Sequence, residues 1–271
     1  MRRSSSRADS RYRVIIIILV LIILGQFFAF WILPKAKKEK PKVKLAKKGE
    51  IAIVLDDWGY NTSNLELLRS IDMPITLAVL PNLPYSKQVA SFANEHGLEV
   101  ILHLPLEPKE KFRLEDNTLM VSMSQKQAID ILDSGLKDLV YAKGVSNHMG
   151  SRATEDRRLV KIIFSHLKEN NLYFFDSFVS SESVCAELAG QLNLRFAKRD
   201  IFLDNSSNPA YIRGQINKLK AIANKRGYAI GIGHDRKNTL MVLKEIMPVI
   251  EKEGFKFVLL SQLIRNERSR Y

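Results

Sequence analysis

Five residues in this chain have the types and the placement for metal-assisted hydrolysis: Asp56, Asp57, His103, His148 and His234. Asp56 and Asp57 are adjacent and directly follow the apolar run IAIVL at 51–55. Two neighbouring carboxylates at the end of a buried segment repel unless a cation or hydrogen bonds compensate. A divalent metal is the natural compensation. Two imidazoles complete an Asp/His/His set that leaves positions open for water and substrate. Water in such a site loses a proton near neutral pH, and a remaining carboxylate and histidine can act as base and acid. The competing reading makes Asp56-Asp57 a turn or helix-cap pair and each histidine a hydrogen-bonded core residue. Three histidines at one place are hard to assign to coincidence.

That convergence requires a particular set of elements. Short apolar runs at 51–55, 75–80, 99–102, 144–146, 172–175, 201–203, 228–232 and 255–260 read as strands buried on both faces. Helical patterns fill most gaps, at 64–70, 86–96, 124–140, 154–170, 181–192, 209–225 and 239–253. Gly97 is placed to close the second of these, and Ser124 with Gln127 forms a capping-box pattern at the start of the third. Alternating strands and helices imply a parallel sheet with right-handed crossovers. The pattern predicts an α/β fold, a (β/α) barrel of about seven to eight strands, with a doubly wound open sheet as the alternative. In a barrel the C-terminal strand ends share one mouth. This brings together Asp56-Asp57, Asn82, His103, Asn147-His148, Asp176-Ser177, Asp204-Asn205 and His234-Asp235. His96 and His166 fall in helical patterns and are expected to face solvent. The first strand is followed by LDDWG, not G-x-G-x-x-G or G-K-S/T, which argues against dinucleotide and P-loop functions.

The net charge of +13 suggests nucleic acid until it is divided along the chain. Residues 1–50 hold 13 Lys/Arg against 3 Asp/Glu, and residues 51–271 hold 29 against 26. The folded part is nearly balanced, so no nucleic-acid partner is expected. Residues 14–33 form a 20-residue stretch without a charge, long enough for a bilayer core. It reads as an uncleaved signal anchor, a cleaved signal peptide being the rival. The expected organisation is a basic tail at 1–13, the transmembrane anchor at 14–33, a Lys/Pro-rich stalk at 34–50 and the barrel domain at 51–271. The five arginines of the tail favour a cytoplasmic N-terminus, although the eight lysines of the stalk pull the other way on a bare positive-inside count. The expected location is the cytoplasmic (inner) membrane, single-pass, with the barrel periplasmic or extracellular. Cys185, the sole cysteine, excludes an intramolecular disulfide and reads as a buried helix residue.

The stretches IAIVLDDWGYN (51–61), TLAVLPNLPYS (76–86), VILHLPLEP (100–108), GVSNHMGSRAT (144–154), FFDS (174–177), RDIFLDN (199–205) and IGIGH (230–234) resemble the polysaccharide deacetylases of the NodB-homology, carbohydrate-esterase-4-like type, most closely their divergent branch. The resemblance implies removal of acetyl from an N-acetylated polysaccharide or oligosaccharide, with one divalent ion, zinc first among several that suit the donors. It makes Asp56 the base, Asp57 and His103 metal ligands, and His234 the acid. The family's second motif carries two histidines four residues apart. Here Glu107 stands at the second place, so His148 is the expected replacement ligand and Glu107 the reserve. The usual arginine motif is not plainly present. Arg152 or Arg199 is its candidate substitute, paired with Asp176 or Asp204, while Asn147 is a supporting residue of the NHMGS stretch. Asp235 or Asp176 is expected to keep His234 protonated. Trp58, Tyr60 and Tyr85 can stack on a sugar ring or pack under loops. Two further readings stay open: a catalytically silent carbohydrate-binding or scaffolding module, and a metal hydrolase acting on another amide or ester.

Overall fold

The computed structural model of the protein describes residues 5–32 and 48–268. The chain divides into two units, Met1–Lys44 and Leu45–Tyr271. The first holds helix α1 (Ser5–Ile32). Its stretch Ser10–Trp31 is long and apolar enough to cross a membrane. From residue 14 onward large apolar side chains occupy every side of the helix rather than one stripe, so that part has no aqueous face. Residues 1–4 of the expected tail, Leu33 of the expected anchor and positions 34–47 of the expected stalk lie outside the described residues.

Among the described residues, the second unit has nine strands: β1 (Gly49–Trp58), β2 (Thr76–Val79), β3 (Glu99–Leu106), β4 (Gly144–Met149), β5 (Tyr173–Asp176), β6 (Phe196–Lys198), β7 (Ile201–Phe202), β8 (Tyr228–His234) and β9 (Phe255–Phe257). Its helices are α2 (Leu65–Arg69), α3 (Ser86–Glu95), α4 (Gln125–Asp138), α5 (Arg157–Glu169), α6 (Cys185–Leu192), α7 (Pro209–Arg226), α8 (Lys237–Lys252) and α9 (Leu260–Arg268). Local signals place the helix ends. Ser124 and Gln127 form the expected capping box before α4. Asn208 caps α7, Pro209 opens it, and Gly227 ends it in the left-handed region. The stripe Leu159, Val160, Ile163, Phe164 and Leu167 buries one face of α5.

Every strand pairing is parallel. The hydrogen-bonded order is β6-β5-β4-β3-β2-β1-β8-β7, with β9 beside the N-terminal end of β1. The α/β barrel layout expected from the strand–helix alternation is therefore present. Its closure was not legible. β6 and β7 are the two ends of the path, yet only Arg199 and Asp200 separate them. Two parallel strands lying side by side need a crossover of about a dozen residues. β6 and β7 are instead two halves of one strand that changes partner. The Arg199 amide donates to Asp176 O at the end of β5 at 3.0 Å, and the next amide, Asp200, donates to Ile230 O of β8 at 3.0 Å. This switch bridges the two ends of the sheet. The reading of 201–203 as a whole strand caught only its second half, because FAK at 196–198 offers no apolar run.

Strand alternation separates two apolar layers. Ile51, Ile53 and Leu55 face the helices, while Ala52 and Val54 face inward with Ala78, Ile101, Phe175, Ala197, Ile230 and Ile232. Leu260, Leu263 and Ile264 of α9 close this inner cluster. The run expected as one strand at 255–260 thus ends at Phe257 and turns into the helix that seals the barrel floor. Buried Glu99 fixes the junction. It accepts from Tyr173 Oη at 2.9 Å, Thr76 Oγ1 at 3.0 Å and the Ser261 amide at 3.1 Å, and Thr76 Oγ1 accepts from the Leu260 amide at 3.1 Å. Glu99→Leu strands these donors in an apolar setting and is expected to cost about 2–4 kcal/mol of stability, read by urea denaturation. An unchanged midpoint would show that the floor does not depend on this carboxylate.

Candidate metal centre

Alternation along β1 points Asp56 inward and would turn Asp57 towards the helices. The backbone prevents that. Asp57 adopts φ 66, and the register with β2 shifts between Leu55 and Trp58. A bulge in the left-handed region re-aims the side chain, so both carboxylates reach the mouth. Asn82 (φ 58), Met149 (φ 54) and Phe178 (φ 51) are also left-handed at or just beyond the ends of β2, β4 and β5. Such residues cost about 1–3 kcal/mol each and collect where a site imposes them. Gly150 (φ 91) continues the turn after Met149, where a Cβ would approach Leu106 Cβ to 2.7 Å.

Asp57, His103 and His148 each offer one ligand atom, and the three atoms lie within 4.8 Å of one another. Asp57 Oδ1 sits 3.4 Å from His103 Nε2 and 3.1 Å from His148 Nδ1. The two rings meet edge to face with centroids 5.0 Å apart. His103 Nδ1 lies 2.8 Å from Ser146 Oγ, its register neighbour on β4. The tautomer that donates Nδ1–H to Ser146 aims the Nε2 lone pair at Asp57. Two acceptors at that distance repel unless a proton or cation lies between them. Burial, outweighing the attraction of Asp57, pushes His103 down to about 4, so it stands neutral at pH 7. Burial would raise Asp57, but its contacts with His103 and His148 hold it well below the ordinary carboxylate range. His148 Nε2 and Asp56 Oδ1 are buried without a hydrogen-bond partner. A neutral His103, the His148 imidazole, an ionised carboxylate and unsatisfied buried atoms form a donor set that fits a divalent cation.

Asp56 is buried, with Oδ2 3.7 Å from His103 Nε2. Burial and the neighbouring charge of Asp57 raise it well above the usual value; a cation beside it acts in the opposite direction. His234 faces it from the adjacent strand, in register with Asp56. Asp204 is fully buried and holds His234 twice: Oδ1 lies 2.7 Å from Nδ1, and Oδ2 accepts the His234 amide at 2.9 Å. Thr239 Oγ1 also donates to Asp204 Oδ2 at 2.6 Å. Burial works against a charged His234, but the bond to Asp204 and the surrounding carboxylates prevail and raise it above the ordinary histidine value. The mouth thus carries one imidazole kept neutral and another biased towards imidazolium.

A family model described as "Divergent polysaccharide deacetylase" matches residues 53–264. The chain belongs to the divergent polysaccharide deacetylase family. It is 36% identical to the uncharacterised Escherichia coli K12 protein YibQ over 73% of this chain and 62% of that protein's length. It is 33% identical to an uncharacterised protein of Haemophilus influenzae over 82% of this chain and 79% of that protein. An uncharacterised protein of Agrobacterium tumefaciens C58 shares the fold with a TM-score of 0.76 at 22% identity, over 80% of this chain and 90% of that one. A peptidoglycan N-acetylglucosamine deacetylase shares the fold with a TM-score of 0.52 at 12% identity, over 80% and 88%.

The expected helper residues of this family member divide sharply. Glu107, the reserve ligand, is turned away: Oε1 pairs with Arg152 Nη1 at 3.1 Å and Oε2 accepts from the Val121 amide at 2.6 Å. Arg152 therefore ties down a loop instead of orienting base or acid. Asn147 links β4 to the turn after β5, accepting from the Ser177 amide at 2.8 Å and donating to Met149 O at 2.8 Å. Asp176 accepts from Ser183 Oγ and the Phe178 amide, and Asp235 from Asn64 Nδ2; neither is the partner of His234, a place that Asp204 takes. Arg199 donates to Ser177 O and Phe178 O, and its charge reaches Asp176 and Asp56. Trp58 is wholly buried in the core and cannot stack on a sugar, whereas Tyr60 and Tyr85 are exposed. His96 is exposed as expected. His166 is largely covered and lies 2.7 Å from Asp133, contrary to expectation. Cys185 is buried in α6, and burial raises its thiol.

Ser146 and Thr239 were missed. Ser146 stands two residues before His148 and so shares its face of β4, a signal that alternation contains. Thr239 lies 35 residues from Asp204, and nothing local marks it. Ser146→Ala removes the partner of His103 Nδ1 and is expected to weaken divalent-metal affinity about 10–100-fold with the fold unchanged, read by competitive chelator titration. Asp204→Asn removes the charge that favours the His234 imidazolium. The His234 midpoint, followed by NMR, is expected to fall; a midpoint that stays put would mean that Asp204 does not set it.

Proposed function

We propose that the chain is a membrane-anchored, metal-dependent hydrolase that removes N-acetyl groups from an envelope polysaccharide or oligosaccharide. The convergence of Asp57, His103 and His148 beside Asp56 and the His234–Asp204 pair carries this reading. Family membership supports the substrate class, and so does the fold neighbour whose name is a peptidoglycan N-acetylglucosamine deacetylase. Helix α1 would anchor the chain in the cytoplasmic membrane as a single span, with the second unit on the periplasmic or extracellular side.

Asp57, His103 and His148 would hold the ion, for which zinc is the first candidate. The chemistry a divalent cation supplies there is Lewis acidity towards the acetyl carbonyl and towards water. Asp56 takes the proton of the attacking water at Oδ1, the oxygen without a partner. Water oxygen joins the acetyl carbon, the C–N bond breaks, and His234 protonates the departing nitrogen, giving acetate and an amine. Asp204 keeps the Nδ1 proton of His234 in place, so the ring delivers its other proton from Nε2.

The test is metal content together with acetate release from N-acetylglucosamine oligomers. The wild type should bind about one equivalent of metal, and His148→Ala should lose it. Asp56→Asn should keep the metal and lose about 10²–10⁴-fold in turnover. A wild-type chain that takes up no metal after reconstitution would overturn the hydrolase and favour a silent binding module. Metal uptake with cleavage only of other amides or esters would move the substrate class.

A further inference from the structure

The segment after β3 carries chemistry that the hydrolytic residues do not use. Residues 109–115 (KEKFRLE) are anchored at both ends. At one end, the Lys109 amide donates to Ser151 Oγ at 2.9 Å and Lys109 Nζ pairs with Glu155 at 2.6 Å, both partners lying just after β4. At the other end, Glu115 accepts from the hydroxyl of Tyr60, just after β1. The sheet order β4-β3-β2-β1 makes this a strap along the metal side of the mouth. The latch follows the centre closely along the chain, Tyr60 standing three residues after Asp57.

The middle of the strap is open to solvent. Phe112 is 59% exposed between Lys111 and Arg113, both exposed. The acids of the strap are engaged, Glu110 with Ser151 Oγ at 3.1 Å and Glu115 with Tyr60. Asp116 lies past the latch. Among the described residues, no ion pair engages Lys111 or Arg113. An unburied ring flanked by two free cations is poorly explained by packing. It suits a ligand with a flat apolar face and negative groups.

We propose that the strap recognises an acidic N-acetylated polysaccharide, with Phe112 stacked on a sugar ring and Lys111 and Arg113 paired with carboxylates along the chain. The inference names the substrate class for the deacetylase reading and rests on that reading for the N-acetyl group. It is tested on the full, metal-loaded chain in detergent, in an Asp56→Asn background so that the probe is not consumed. The probes are a hyaluronan tetrasaccharide, which alternates glucuronate with N-acetylglucosamine, and the neutral chitotetraose.

Calorimetry should show tighter binding of the acidic probe, weakening with salt. Phe112→Ala should weaken both probes about tenfold. Lys111→Ala with Arg113→Ala should weaken only the acidic probe, about tenfold, and remove the salt dependence. Equal affinity for the two probes, affinities untouched by the substitutions, or binding of neither overturns the strap. Acetate release by the wild type is measured separately. The expected binding pattern without acetate release counts against the hydrolase and not the strap, while release with substitution-insensitive binding does the reverse.

Discussion

Two adjacent carboxylates share one buried mouth, and much of the site answers to that constraint. A regular strand would send Asp56 and Asp57 to opposite faces. The left-handed backbone at Asp57 and the slipped register beside it bring both to the same side. The electrostatic consequence is an unequal pair. Asp57, gripped by two imidazoles, stays ionised; Asp56, in a drier place next to that charge, is pushed towards its neutral form. A cation bound beside them would relieve this tension, and one oxygen of Asp56 is buried without a hydrogen-bond partner.

The histidines show the same division of labour by environment. His103 is buried against Ser146 and remains a neutral donor. His234 is also largely buried, but an enclosed carboxylate behind it reverses the sign of the shift. Asp204 can do this because its own oxygens accept from the His234 amide, the ring and Thr239, so its charge is satisfied without solvent. The same side-chain type is thus held neutral in one place and biased towards its charged form in the other.

The barrel beneath the mouth is built to carry this polar layer. Its interior holds one apolar cluster in which Ala52, Ala78 and Ala197 lie with the large rings of Tyr173 and Phe175. The floor is sealed by α9, whose first amides are met by Glu99 and Thr76. The sheet ends are joined by a strand that changes partner at Arg199, whose guanidinium holds the carbonyls of Ser177 and Phe178 in the turn after β5.

The amino-acid sequence by itself determined the alternation of buried strands and amphipathic helices, the apolar N-terminal helix, and the placement of Asp57, His148 and His234 at strand ends, whereas His103, expected at the end of its strand, stands inside β3, which runs on to Leu106. Those features follow from local periodicity and from the rule that parallel strands share one mouth. Only the tertiary structure decided which neighbours act together. It gave His234 to Asp204 rather than Asp235 or Asp176, turned Glu107 to Arg152 and Val121, and buried Trp58. It also disclosed Ser146 behind His103 and the split strand of β6 and β7. The physical reason is common to all of these. Pairing across strands depends on register, bulges and left-handed turns, and a shift of a single residue moves a side chain to the opposite face of the sheet.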